Sequence, residues 1–182
     1  NNKMQLVGIT GLPRTGKDTV AEYLEDRYGY EPSSFAFNLK KATQALFNLD
    51  EFDAFDDTVK DMPIQPWNLS PREMWCALAD GVKFKFGDDI FVRLWAHKAL
   101  LGDAEAVVVS DVRYEMEADM VRKMGGKIIH LSRPDAPKLA GNVAKHSSNN
   151  GVEVREGDAV IVNDGSLDDL YDKVDNVMGA WF

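Results

Sequence analysis

The chain of 182 residues has a single cysteine, Cys76, so it forms no intrachain disulfide, and a reducing compartment is expected. Histidine is scarce too. His97, His130 and His146 show no metal-ligand spacing, so no zinc site is expected. No apolar run approaches the length of a membrane span, and no secretion signal is visible. Basic residues are outnumbered: 21 Lys and Arg against 30 Asp and Glu leave a net charge of −9. A general binder of nucleic acid or membrane surfaces needs a broad basic face, so neither is expected as a partner. Internal repeats and low-complexity stretches are also missing. What remains is a chain that is 45% hydrophobic, enough to bury a substantial core in one domain, with or without a lid.

The stretch that organises the chain is Gly11-Leu12-Pro13-Arg14-Thr15-Gly16-Lys17-Asp18-Thr19. It follows the apolar run Leu6-Val7-Gly8-Ile9 and precedes Val20-Ala21-Glu22-Tyr23-Leu24, the start of an amphipathic helix. Strand, glycine-rich turn and helix in that order are the setting that a phosphate-cradling loop requires. A turn with few side chains lets successive backbone N–H groups point at an anion. The positive end of the helix adds to the attraction, and Lys17 supplies a mobile full charge. Asp18 stands where a Ser or Thr usually holds a magnesium ion, and Thr19 follows it. The bland alternative is a glycine turn that feeds a helix and binds nothing.

Beyond the loop, strands alternate with helices, which predicts an α/β fold with a parallel sheet covered on both faces. Helices are expected over 17–28, stopped by Gly29, then over 39–49 and 89–101, and after the capping Ser166. Ser70-Pro71-Arg72-Glu73 is a capping box opening another helix, with Met74, Ala77, Leu78 and Val82 inward. Strands are expected over 33–37, 106–111, 127–131 and 159–162. Six acids in residues 50–61 read as a solvated linker. The β-branched run before Ser110-Asp111 reads as a buried strand whose carboxyl end reaches the site. Asp111 is then the carboxylate near a magnesium ion, a helix-capping role being the alternative. Arg113 and Glu117, four residues apart, are expected on one helical face, with Met116, Met120, Val121 and Met124 on its buried side. Lys40 and Arg72 fall in first helical turns, where the helix dipole disfavours cations. A nearby phosphate would explain both; chance surface placement is the alternative. Residues 133–157 form a long irregular connection carrying Arg133, Lys138, Lys145 and Arg155, read as a lid whose cations close over phosphates, against a merely flexible loop.

Taken in order, these motifs resemble the bacteriophage deoxynucleoside monophosphate kinases of the P-loop nucleoside monophosphate kinase superfamily. Gly16-Lys17-Asp18-Thr19 is similar to that family's own form of the phosphate loop. Phe35-Ala36 through Leu39-Lys40, Ser70-Pro71-Arg72-Glu73, Ser110-Asp111-Val112-Arg113 with Glu117, Leu131-Ser132-Arg133-Pro134, and Val160 through Leu167 resemble its further segments. The resemblance implies a three-layer α/β/α P-loop fold with a five-stranded parallel sheet and a mobile lid. It implies one domain over 1–182, with an acceptor-binding helical region at about 38–102 and a lid at about 133–157.

The implied activity is transfer of the γ-phosphoryl group of ATP to a deoxynucleoside monophosphate, with Mg2+ beside ATP. The implied donor site is Gly11, Arg14, Thr15, Gly16, Lys17, Asp18 and Thr19, with Asn163 and Gly165 near the base. Lys40, Arg72, Arg113 and Glu117 would serve the acceptor. Lys17, Arg113 and Arg133 would be catalytic, Arg133, Lys138 and Lys145 would close from the lid, and Asp18, Thr19 and Asp111 would lie near the metal. The resemblance further implies a homodimer and a setting in the host bacterial cytoplasm. Two departures stand out: Asn149 replaces a frequent glutamate three residues after His146, and residues 50–67 replace a longer insertion found in some relatives. The competing readings are another small-molecule kinase on this fold, of the dephospho-coenzyme A or phosphomevalonate kinase kind, and a non-catalytic nucleotide-binding regulator.

Overall fold

The computed structural model describes residues 4–56, 58–134 and 151–182. The chain divides into two units, one taking in the chain up to Ser34 and again from Ala99, the other running Phe35–Lys98.

The first unit is built on five parallel strands: β1 Gln5–Thr10, β2 Glu31–Ser33, β3 Ala106–Val109, β4 Lys127–Ser132 and β5 Ala159–Val162, in the order β2-β3-β1-β4-β5. Near-continuous apolar runs such as Ala106-Val107-Val108-Val109 suit strands covered on both faces. Alternation along β1 serves both layers. Val7 and Ile9 pack with Val20, Ala21 and Leu24 of helix α1 (Lys17–Tyr28) and with Leu170, Val174 and Met178 of the last helix, α7 (Leu167–Trp181). Gly8 faces the other way, towards Ile128, Val112 and Val121, the last of these on helix α6 (Glu115–Lys123). A Cβ on Gly8 would come within 2.8 Å of the Ile128 Cδ1 atom, so helix and sheet approach closely there. The result is the expected three-layer arrangement. α1 ends at Gly29, whose φ of 72° closes the helix through N–H bonds back to its last turn. α7 starts at a capping box of Ser166 and Asp169.

The second unit contains α2 (Phe37–Phe47), α3 (Glu51–Phe55), α4 (Pro71–Phe86) and most of α5 (Ile90–Leu101). Leu49, Ala54 and Met74 form its small core, with Phe47, Phe55 and Ile64 against them. The capping box opening α4 is present, with the Glu73 N–H on the Ser70 Oγ at 3.2 Å and the Ser70 N–H on the Glu73 Oε2 at 3.1 Å. No helix among the described residues is long and apolar enough to cross a membrane.

Several local expectations are corrected. The strand expected over 33–37 is displaced: β2 runs Glu31–Ser33, paired with Val107–Val109, and Phe37 already opens α2. The extended backbone stops where its pairing partner β3 stops. Part of the acidic 50–61 linker is helix α3, because Asp50 caps the Asp53 N–H at 2.7 Å and Ala54 is buried in the unit's core. Acids at a helix start also suit its dipole. Arg113 and Glu117 do not share a helical face, since α6 begins only at Glu115. Its buried side is Glu117, Ala118 and Val121, and Met116 is exposed. On α4, Ala77 is exposed while Met74 is buried. On α5, Val92, Trp95 and Ala96 are buried, while the apolar Leu94 and Leu101 are exposed.

Candidate active site

The loop after β1 is held by three contacts. A Cβ on Gly11 would run into the Leu131 carbonyl oxygen at the end of β4, so the chain passes there only as glycine. The Thr15 hydroxyl, buried, donates to the Leu12 carbonyl at 2.8 Å and closes the turn. The Asn163 side-chain amide donates to the Thr15 carbonyl at 3.0 Å, and its own N–H donates to the Ser132 carbonyl at 2.7 Å. Asn163 therefore ties the loop to the ends of β4 and β5. Arg14, at φ 63°, and Gly16, at φ 103°, both take the left-handed conformation. A Cβ on Gly16 would meet the Asn163 amide nitrogen at 2.9 Å. The chain then enters α1, where Asp18 is exposed in the first turn and Thr19 half-buried. The Lys17 ammonium donates to the Gly11 carbonyl at 2.6 Å, arching over the loop that it would share with an anion.

Beside the loop, Val112 donates its N–H to the Ile9 carbonyl at 3.3 Å, which brings the chain after β3 against the end of β1. Asp111 lies in this turn and accepts from the Ser34 hydroxyl at 2.7 Å. Glu117, only 7% exposed, turns its Oε1 back to take the N–H groups of Arg113 at 2.8 Å and Tyr114 at 3.0 Å. Burial, and then the charge of Asp111, push its carboxyl up to about 7, against the opposing pull of those two N–H groups and the Arg113 charge. The Arg113 and Arg133 side chains are exposed. Beyond β5, Lys173 holds the Asn163-Asp164-Gly165 turn through the Val162 carbonyl at 2.7 Å and the Asp164 carboxylate at 3.0 Å. The pairing with Lys173 also keeps the Asp164 carboxyl below its ordinary value.

In the second unit, Lys40 lies 4.9 Å from the centroid of the Trp75 ring, a cation–π contact. Its N–H bonds the Ala36 carbonyl, so it stands at the end of the first turn of α2. Arg72 forks onto Asp61, with Nε at 2.6 Å and Nη2 at 3.2 Å from the two carboxylate oxygens. A local acid thus accounts for this first-turn cation without a phosphate. Arg155 is similarly engaged, with Asp119 at 3.0 Å and Glu115 at 3.5 Å. Lys138 and Lys145 lie outside the described residues, as does most of the connection read as a lid.

A strand end feeding a glycine turn and a helix, with a lysine on the turn and a strand-end aspartate beside it, is an arrangement suited to holding a nucleotide's phosphates. The family model for deoxynucleotide monophosphate kinase matches residues 72–174. The chain belongs to the deoxynucleotide monophosphate kinase family. It is 30% identical over 185 residues to a protein of Acanthamoeba polyphaga mimivirus that bears this kinase's name provisionally, with 94% of each chain covered. It is 38% identical over 153 residues to the deoxynucleotide monophosphate kinase of Enterobacteria phage T4, covering 82% of this chain and 61% of that one. In fold it is similar to a gluconokinase from Sinorhizobium meliloti 1021, with a TM-score of 0.51 at 10% identity, covering 100% of this chain and 94% of the other. That likeness speaks for the P-loop kinase architecture alone. Sequence reasoning missed two contacts, the Asn163 brace on the loop and the Ser34 hydroxyl on Asp111, both of which join residues far apart in the chain.

Proposed function

We infer that the chain transfers the γ-phosphoryl group of ATP to the phosphate of a deoxynucleoside monophosphate, giving the diphosphate. The carrying observation is a braced phosphate loop in a chain that belongs to the deoxynucleotide monophosphate kinase family. The acceptor phosphate is already an anion near neutral pH, so no general base is required. The work lies in bringing two anions together and stabilising the transferred group.

The loop from Gly11 to Thr19 and the Lys17 ammonium would hold the donor phosphates, the ammonium exchanging the Gly11 carbonyl for phosphate oxygens. Asn163 and Gly165 would lie near the donor base, Asn163 also keeping the loop in shape. Lys40, Arg72 and Arg113 would hold the acceptor phosphate, where an arginine fork can pair with two oxygens. Acceptor phosphate and Asp61 would compete for the Arg72 fork. Glu117 would serve the acceptor indirectly, by setting the turn that carries Arg113. Arg133, with Lys138 and Lys145, would close over the transferring group.

Asp18, Thr19 and Asp111 offer hard oxygen donors, and among the described residues there is no cluster of three His, Cys, Asp or Glu to cage a metal alone. That donor set fits Mg2+, which takes one or two carboxylates together with substrate phosphates. Bound there, it would neutralise charge on the phosphate oxygens. The phage and viral origin of the relatives supports a place in the host cytoplasm. A homodimer is the assembly we expect.

The test is ATP consumption with every ribo- and deoxyribonucleoside monophosphate as acceptor. One or more deoxynucleotides should stimulate it strongly. Consumption no faster with any deoxynucleotide than without one would overturn the reading. Dephospho-coenzyme A in the same panel separates this activity from that of the other small-molecule kinases.

A further inference from the structure

The Asp158 side chain is only 3% exposed. Taking a carboxylate out of water costs several kcal/mol unless partners repay it. Four donor groups meet this one. The Arg122 guanidinium spans both oxygens, Nε to Oδ1 at 3.2 Å and Nη2 to Oδ2 at 2.6 Å. His130 Nε2 lies 2.7 Å from Oδ2, and the Arg155 N–H donates to it at 2.9 Å. Burial would raise this acid, but Arg122, His130 and the Arg155 N–H together hold it below the ordinary carboxylate value. Arg122 is on α6, His130 on β4, and Asp158 immediately precedes β5. A second ring of contacts surrounds the first. Arg122 also reaches Asp119 at 3.3 Å and the Glu153 carbonyl at 3.4 Å, and Glu115 accepts the Glu153 N–H at 2.5 Å.

This network stands next to the phosphate loop. His130 is the register partner of Thr10, the last residue before Gly11. Thr10, Gly11 and Leu12 line a cavity of about 180 Å³ together with His130, Leu131, Gly151 and Val152. Arg133 leaves the end of the same strand three residues after His130.

We propose that Asp158 is a positioning residue for phosphoryl transfer. Through His130 and Arg122 it fixes both the end of β4 that leads to Arg133 and residues 151–158 beside the entry to the phosphate loop. The proposal rests on the kinase reading of that loop. Stability alone is a poor reason for such a network, because well-packed apolar residues of similar volume fold as well as a buried ion pair or better. Directional bonds from three elements supply placement instead. A displacement of about 1 Å far from the chemistry can cost on the order of a hundredfold in rate.

The test uses Asp158→Asn and the double variant Arg122→Met with Asp158→Leu. Read out are kcat, KM for ATP and for the acceptor, the melting temperature, and backbone hydrogen exchange over 10–12 and 151–158 without substrate. Asp158→Asn should lower kcat about tenfold or more while KM for ATP moves less than about threefold. The double variant should melt near the wild-type temperature yet keep the low kcat, and both should exchange faster over 151–158. Wild-type kcat in the folded double variant, or unchanged exchange in both, would overturn the proposal. A wild-type protein that phosphorylates no deoxynucleotide would overturn the kinase reading instead, and the exchange arm would still decide whether Asp158 anchors these residues.

Discussion

Glu117→Gln isolates a buried carboxyl that holds its proton unusually tightly. The Glu117 carboxyl is buried, lies in the field of Asp111, and is pushed from its ordinary value of 4.5 up to about 7. Glutamine removes the charge but keeps an oxygen for the Arg113 and Tyr114 N–H groups that Oε1 now accepts. The folded protein therefore binds the Glu117 proton more tightly than the unfolded chain does. The resulting stability is fully present below pH 4.5 and is lost as pH rises to about 7. A rise from 4.5 to about 7 corresponds to roughly 3 kcal/mol between the two limits, to order of magnitude. For a chain of this size that is roughly 6–12 °C in melting temperature. The assay is thermal or urea unfolding of both proteins at about pH 5 and about pH 8. All other titrating groups are shared, so they cancel in the difference between the two. Glu117→Gln should match wild type near the acid end and become the more stable protein at the alkaline end. A difference that stays constant across that range would refute the buried, proton-hungry Glu117.

Lys17→Ala should cut turnover by on the order of a hundredfold or more with an unchanged melting temperature, as loss of one preorganised charge does; near-normal kcat would remove Lys17 from the mechanism. Arg72→Ala should raise KM for the acceptor and leave KM for ATP nearly unchanged, and Asp61→Ala should lower acceptor KM by releasing the Arg72 fork that Asp61 now holds. Equal effects on both substrates would count against that placement. Exposed in the first turn of α1, Asp18 places a negative charge where phosphates would bind. ATP binding measured by calorimetry should therefore collapse in chelator, and equal affinity with and without Mg2+ would show that Asp18 has no part in holding a metal.

The parts of the site legible in the sequence were those whose chemistry is local. A glycine turn between a strand and a helix announces itself over nine residues, and so does the capping box at Ser70. Strands β3, β4 and β5 were legible because β-branched apolar runs leave few other conformations. β2 was misplaced because Glu31-Pro32-Ser33 carries no such pattern; it is extended only because β3 lies alongside. The 50–61 stretch looked solvated because its acids dominate, yet the buried Ala54 pulls part of it into a helix.

The sequence by itself determined that this is an α/β protein with a phosphate loop, and which cations stood oddly in their helices. It did so because backbone propensity, capping and turn chemistry act over a few residues. Only the tertiary structure decided what each charge does. Arg72 is matched by Asp61, Arg155 by Asp119 and Glu115, and Asn163 braces a loop that precedes it by 148 positions. Asp158 owes its place to β4 and α6 together. Such pairings depend on which strands become neighbours, and parallel β4 and β5 meet only after the whole connection between them has been crossed.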